Sequence, residues 1–268
     1  MPYFAPMELP GFQILQSFLI AGFWIAGATL LAEKVGSKAG GAIANLPSTI
    51  LVSLVYVALV RNPEFAAEAA LAAPLGMAVN TLFLFLFIVM LRFHLIWALL
   101  ASLAFWFTMA WTISLAGDIT VLFSLTFYFI AMGSAFYLLE YRLKIPSAGK
   151  QKRVFRWWAL FVRALFAGTV VASTVIISTF ANSFWTGIFS TFPAVMLSTM
   201  TILSISQGAK FARAVGKTMV LASINIVIYA LAIHYLYPTI GVLWGTIISF
   251  LIALLFIVLI RPYLLRMR

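Results

Sequence analysis

Nine apolar runs, each of about twenty residues, follow one another along this chain, and only short polar hinges part them. They cover about 12–32, 40–60, 68–91, 95–115, 119–139, 157–178, 184–206, 212–234 and 240–260. In a helix, ~20 such residues reach across ~30 Å of hydrocarbon. The stretch 93–139 is too long for one crossing, and Gly117-Asp118 supplies a turn in its middle. With 65% hydrophobic and 9% charged residues, 268 residues cannot clothe a water-soluble domain. The expected fold class is all-α, a polytopic transmembrane bundle of about nine helices.

The basic residues sort by side. Nine crossings place Lys34, Lys38, Arg92, Arg142, Lys144, Lys150, Lys152, Arg153, Arg156, Lys210, Arg213, Lys217, Arg261, Arg266 and Arg268 together, fifteen against Arg61 alone. Lys and Arg gather in cytoplasmic loops. The expectation is a multi-pass protein of the cytoplasmic (inner) membrane, N-terminus outside and C-terminus inside. Eight crossings leave a poorer split, thirteen against three. The net charge of +11 thus reads as orientation and not as nucleic-acid binding. Cysteine is absent, which excludes disulfides and thiolate chemistry. No histidine or acidic cluster has metal-ligand spacing, so neither metal nor cofactor is expected. No paired carboxylates, nucleophile–base set or phosphate loop stands in the sequence, which points away from an enzyme.

Sliding the chain by 146 residues aligns two stretches without a gap. Ala21-Gly22 meets Ala167-Gly168, Ala26 meets Ala172, Gly41 meets Gly187, Pro47 meets Pro193, and Phe65-Ala66 meets Phe211-Ala212. Both copies carry Gly, five residues, then Pro, early in their second apolar run. The reading is a first four-helix repeat at 1–116, a linking helix and basic loop at 117–156, and a second four-helix repeat at 157–268. A shift of five crossings turns the second copy upside down, as in inverted-repeat transporters. Charge agrees: Arg61, Glu64 and Glu68 lead into the third helix of the first copy, whereas Lys210, Arg213 and Lys217 do so in the second.

One unit resembles the GlpM-like family of small four-helix membrane proteins. The similar segment reads Gly187-Ile-Phe-Ser-Thr-Phe-Pro193 and continues to Gln207-Gly-Ala-Lys-Phe-Ala-Arg213. The resemblance implies an inner-membrane protein and names no substrate. The duplication and the extra helix depart from that pattern. By analogy alone, the inverted layout is similar to that of the drug/metabolite transporters.

Pro47 and Pro193 fall inside apolar runs, where proline removes a helical hydrogen bond and opens the helix. Asn45, Ser48, Thr49, Ser190 and Thr191 stand around them. Freed carbonyls and hydroxyls at matching depth suit a midplane substrate site, or a packing kink. Asn80 and Asn225 need partners in hydrocarbon, from a neighbouring helix or from a ligand. Arg163 is a substrate-site candidate about two turns into its run, or snorkels to headgroups. Lys210, Arg213 and Lys217 share one helix face, which predicts contact with anionic lipid or an anionic substrate. Mid-run Trp106 reads as lipid contact or packing.

These readings converge on a secondary transporter or lipid-translocating permease with alternating access. Its substrate would be anionic, neutral or lipidic, since acids are scarce in the runs. The expected partners are membrane lipids and a small-molecule or lipid substrate. A channel and a non-transporting accessory subunit are the alternatives.

Overall fold

The computed structural model describes residues 10–34, 46–115, 120–146 and 157–264. Among these the chain is helical throughout, with no strand. The helices are α1 (Gly11–Lys34), α2 (Ser48–Val60), α3 (Pro63–Met90), α4 (Leu95–Ser114), α5 (Val121–Tyr137), α6 (Trp157–Phe180), α7 (Ser183–Ser190), α8 (Ala194–Gln207), α9 (Ala209–Ala222) and α10 (Ile224–Leu264). Six helical stretches are long and apolar enough to cross a membrane, and Gly11–Gly27 and Ser48–Val60 are shorter apolar helices. One of the six, Ala209–Ile260, has 52 residues, length enough for two crossings. Gly241 interrupts it with φ 77°, a backbone that glycine adopts without penalty.

Local chemistry sets the boundaries. Asn62 accepts from the Phe65 amide at 2.7 Å, and Pro63 occupies the first helical position, where a missing N–H costs nothing. α3 therefore begins at Pro63 and not near residue 68, with Glu64 and Glu68 exposed. Asn182 likewise accepts from Trp185 at 3.2 Å. The expected run 184–206 is two helices, α7 and α8, parted at Thr191–Pro193.

α3 is the hub and packs against α2, α4, α5, α7, α9 and α10. Ala66, Ala69, Ala70 and Ala73 are fully buried on it. This small-residue face lets Gly187 of α7 settle on the Ala69 carbonyl, where any Cβ would collide.

α1 and α6 cross closely. A Cβ on Gly22 would lie 3.3 Å from the Ala164 carbonyl oxygen, and one on Gly168 would lie 2.7 Å from that of Phe18. Residue 18 faces 168 while 22 faces 164, so the two helices run antiparallel. Adding 146 to 22 gives 168, and adding 146 to 18 gives 164. Each contact is thus the image of the other under exchange of the two segments. The same shift carries the bounds of α1 on to those of α6, Ser48 on to Ala194, Pro63 on to Ala209, and Leu95 on to Gly241.

Candidate functional site

The two prolines have the same local geometry. Pro47 has φ −75° and ψ 54°, and Pro193 has φ −76° and ψ 41°. In each case the preceding carbonyl accepts from the amide two residues on, Leu46 from Ser48 and Phe192 from Ala194, both at 2.7 Å. Each is an inverse γ-turn, with proline's fixed φ at its centre. The expected opening of the helix is seen at Pro193, between α7 and α8, whereas the residues before 46 that would precede Pro47 lie outside the described residues. The prolines stand at the starts of α2 and α8, because a residue without an N–H suits a helix entry better than a helix interior.

Between the two starts lies a narrow crevice with little more room than a water. Its walls include Thr49, Ile50, Met77 and Asn80 from the first half and Thr191, Pro193, Val195, Met196 and Ile226 from the second. An adjoining crevice adds Ser48, Met219 and Ser223. Among the wall residues, the shift of 146 pairs Thr49 with Val195, Ile50 with Met196, Met77 with Ser223 and Asn80 with Ile226. The crevice is therefore built from matched positions of the two halves.

Asn80 closes one wall. Its Oδ1 accepts from Trp106 Nε1 at 2.7 Å, and its Nδ2 donates to the Thr191 carbonyl. Three separate segments, α3, α4 and the α7–α8 break, meet at this amide. Trp106 is fully buried, edge-on to Phe107, Phe189 and Phe192. The Asn80–Trp106 bond was missed from sequence, although a mid-helix indole N–H needs a buried acceptor.

The other candidates divide. Ser190 and Thr191 donate to carbonyls of their own turn, Gly187 and Ile188, at 2.7 and 2.8 Å, so their protons are already engaged. Asn225 is buried on α10 but is not a wall residue of the crevice. Arg163 is half-buried on α6, also away from the crevice walls. Asn45 lies outside the described residues.

The shared basic face is corrected as well. Lys210 is exposed and Arg213 half-buried, but Lys217 is 0% exposed. Its Nζ donates to Glu140 Oε2 and to the Ile145 carbonyl, both at 2.6 Å. Glu140 sits in the wider turn, Leu138–Arg142, that ends α5, and Lys144, at φ 46°, bends the chain back there. Position 217 falls on the side of α9 packed against α5, so helical spacing alone could not separate it from its exposed neighbours. A lone acid in the basic loop was the available signal. Tyr128 and Ser223 add a second tie from α5, at 2.7 Å between hydroxyls. Among the described residues no cluster of side chains could hold a metal ion.

The sequence model of one family, described as a protein of unknown function (DUF3147), matches residues 14–127 and 160–265. The chain belongs to the DUF3147 family. The two matched segments begin 146 residues apart, and together they take in every wall residue of the crevice. No curated protein and no solved structure matches. For this DUF3147 chain, the helical apolar bundle is compatible with a membrane protein.

Proposed function

We propose that the protein is a secondary transporter or lipid-translocating permease of the inner membrane. It works by alternating access between two inverted four-helix units joined by a linking helix, in nine crossings. The observation that carries this reading is the crevice between the matched proline turns, lined by positions related by the shift of 146. Support comes also from the antiparallel α1–α6 crossing, whose two close contacts exchange under that shift. Two pseudo-equivalent halves around a central site give two conformations of similar energy, one open to each side. The N-terminus is outside and the C-terminus cytoplasmic, on the distribution of Lys and Arg.

The chain has no cysteine, so single reporters are clean. Asn62→Cys should label from outside intact cells with an impermeant maleimide, and its repeat equivalent Gly208→Cys should not. Labelling of both from one side excludes inversion. Thr49→Cys, at the crevice, should react slowly from either face in sealed vesicles. Reactivity from neither face would leave only the accessory role.

A further inference from the structure

We infer that the seam between α9 and the turn that ends α5 holds the phosphate headgroup of one anionic phospholipid, with Arg213 as its main ligand and Lys210 and Arg142 beside it. The inference goes beyond the transport reading and does not depend on it.

Charge comes first. From residue 119 onward the chain has thirteen Lys and Arg and a single acid, Glu140. Lys217 engages that acid at 2.6 Å, and the pair is buried, with side chains 0% and 10% exposed. The same ammonium donates to the Ile145 carbonyl, so it pins the stretch from Glu140 to Ile145 against α9. Arg142 and Lys144, both exposed, lie within that pinned stretch. Arg213 stands one helical turn before Lys217 on the same face of α9, roughly 6 Å along it, and exposed Lys210 stands one turn before that. The seam therefore gathers four bases, and the acid beside them is already engaged by a fifth.

Arg213 is the group that calls for a ligand. It is half-buried and its Nε is buried, and among the described residues it makes no hydrogen bond and no ion pair. A guanidinium taken from water without an acceptor is costly. Two oxygens of a phosphate match its planar fork.

The surroundings decide for a lipid over a free anion. Tyr137, Tyr141 and Leu143, at the end of α5 and on its turn, are 52%, 61% and 42% exposed, and the two tyrosine rings pair at 5.4 Å. Exposed tyrosines beside bases mark the depth of the headgroups. Apolar surface continues from the bases and suits the start of an acyl chain. The repeat supplies a comparison. The shift of 146 puts Ala67 at the place of Arg213 and Glu64 at that of Lys210, so the equivalent place in the first half repels the same headgroup.

The test uses the purified full-length protein, stripped of lipid in an uncharged detergent. Melting is followed against phosphatidylglycerol, phosphatidylcholine and inorganic phosphate, and native mass spectrometry counts the lipids retained. Phosphatidylglycerol should give a saturable rise of ~5 °C at a hundredfold excess over Kd, with a single lipid retained, and phosphatidylcholine should give neither. Arg213→Gln should weaken this binding about tenfold, and Arg213→Lys, which keeps the charge but not the fork, about threefold. Arg92 lies beyond the end of α3, with its guanidinium over the Phe93 ring at 4.4 Å. Arg92→Gln should leave the affinity within about twofold. A loss as large for Arg92→Gln as for Arg213→Gln means a diffuse basic surface and overturns the site, as does equal binding of phosphatidylcholine. A rise in inorganic phosphate that matches the one in phosphatidylglycerol overturns the lipid as occupant. If Arg213→Gln does not fold, full affinity in Arg213→Lys overturns the assignment to Arg213.

Discussion

Asn80 shows what one amide does in a low-dielectric interior. It satisfies an indole N–H and a broken-helix carbonyl at once, and each would be costly alone. Asn80→Ala should lower stability by about 2 kcal/mol in detergent unfolding. Combined with Trp106→Phe, the loss should fall short of the sum by ~1 kcal/mol, since both remove one bond. Lys217 is a harsher case. Lys217→Met leaves Glu140 without its cation and should cost about 3–5 kcal/mol. The double change Lys217→Met with Glu140→Gln should recover part of that, and failure to recover would remove the ion pair as the cause. Neither partnership could be read from sequence, because Trp106 lies 26 residues from Asn80 and Glu140 lies 77 from Lys217. The need for a partner was legible at Asn80, but its identity was a matter of tertiary packing.

At the scale of helices, the glycines divide by what they touch. Gly168→Val forces α6 off the Phe18 carbonyl and should cost about 1–3 kcal/mol, more than Gly22→Val, whose neighbour is farther. Gly133→Ala meets nothing within 4 Å and should be neutral or gain up to ~1 kcal/mol. Equal melting temperatures for Gly168→Val and Gly133→Ala would sink the close-crossing argument. The elements themselves were largely legible, because span length and polar hinges are local properties. α4 and α5 fall within two residues of the expected 95–115 and 119–139. An apolar count sees one helix in the run 212–234, which parts at Ser223, and one in 184–206, which parts where Pro193 is expected to open it. The sequence carries that second break only as Phe192-Pro193 after a Ser-Thr pair, and hydropathy is blind to backbone geometry. Of the candidate site, Ser48, Thr49, Asn80, Thr191 and Pro193 line the two crevices, while Pro47, Ser190, Arg163 and Asn225 do not.

For the whole molecule, the repeat makes a mechanical statement. Exchanging the conformations of the two units turns the contact of Gly22 with Ala164 into that of Gly168 with Phe18, and both are already present. Under the proposed alternating access, a tether between α1 and α6 at this crossing is therefore allowed in both states. The Arg61 bond to the Ser178 carbonyl, at 2.7 Å, has its image at Gln207 and Ala32, so a tether there belongs to one state. With Thr49→Cys as reporter, a 22–164 cross-link should leave labelling from both faces, and a 61–178 cross-link should confine it to one. The opposite pattern would exclude rocking about the α1–α6 crossing.

The twofold relation fails at one wall of the crevice, and the failure has a direction. Asn80 grips the α7–α8 break, but its image is Ile226, which has nothing to grip with. One end state of the proposed exchange keeps this clasp and the other has no counterpart. A single hydrogen bond of ~1 kcal/mol makes the unclasped state scarcer by roughly fivefold. Under the proposed alternating access the bundle is a symmetric rocker with a weight on one arm. In that proposed exchange the resting position is the clasped one, and a ligand would supply the difference that populates the other.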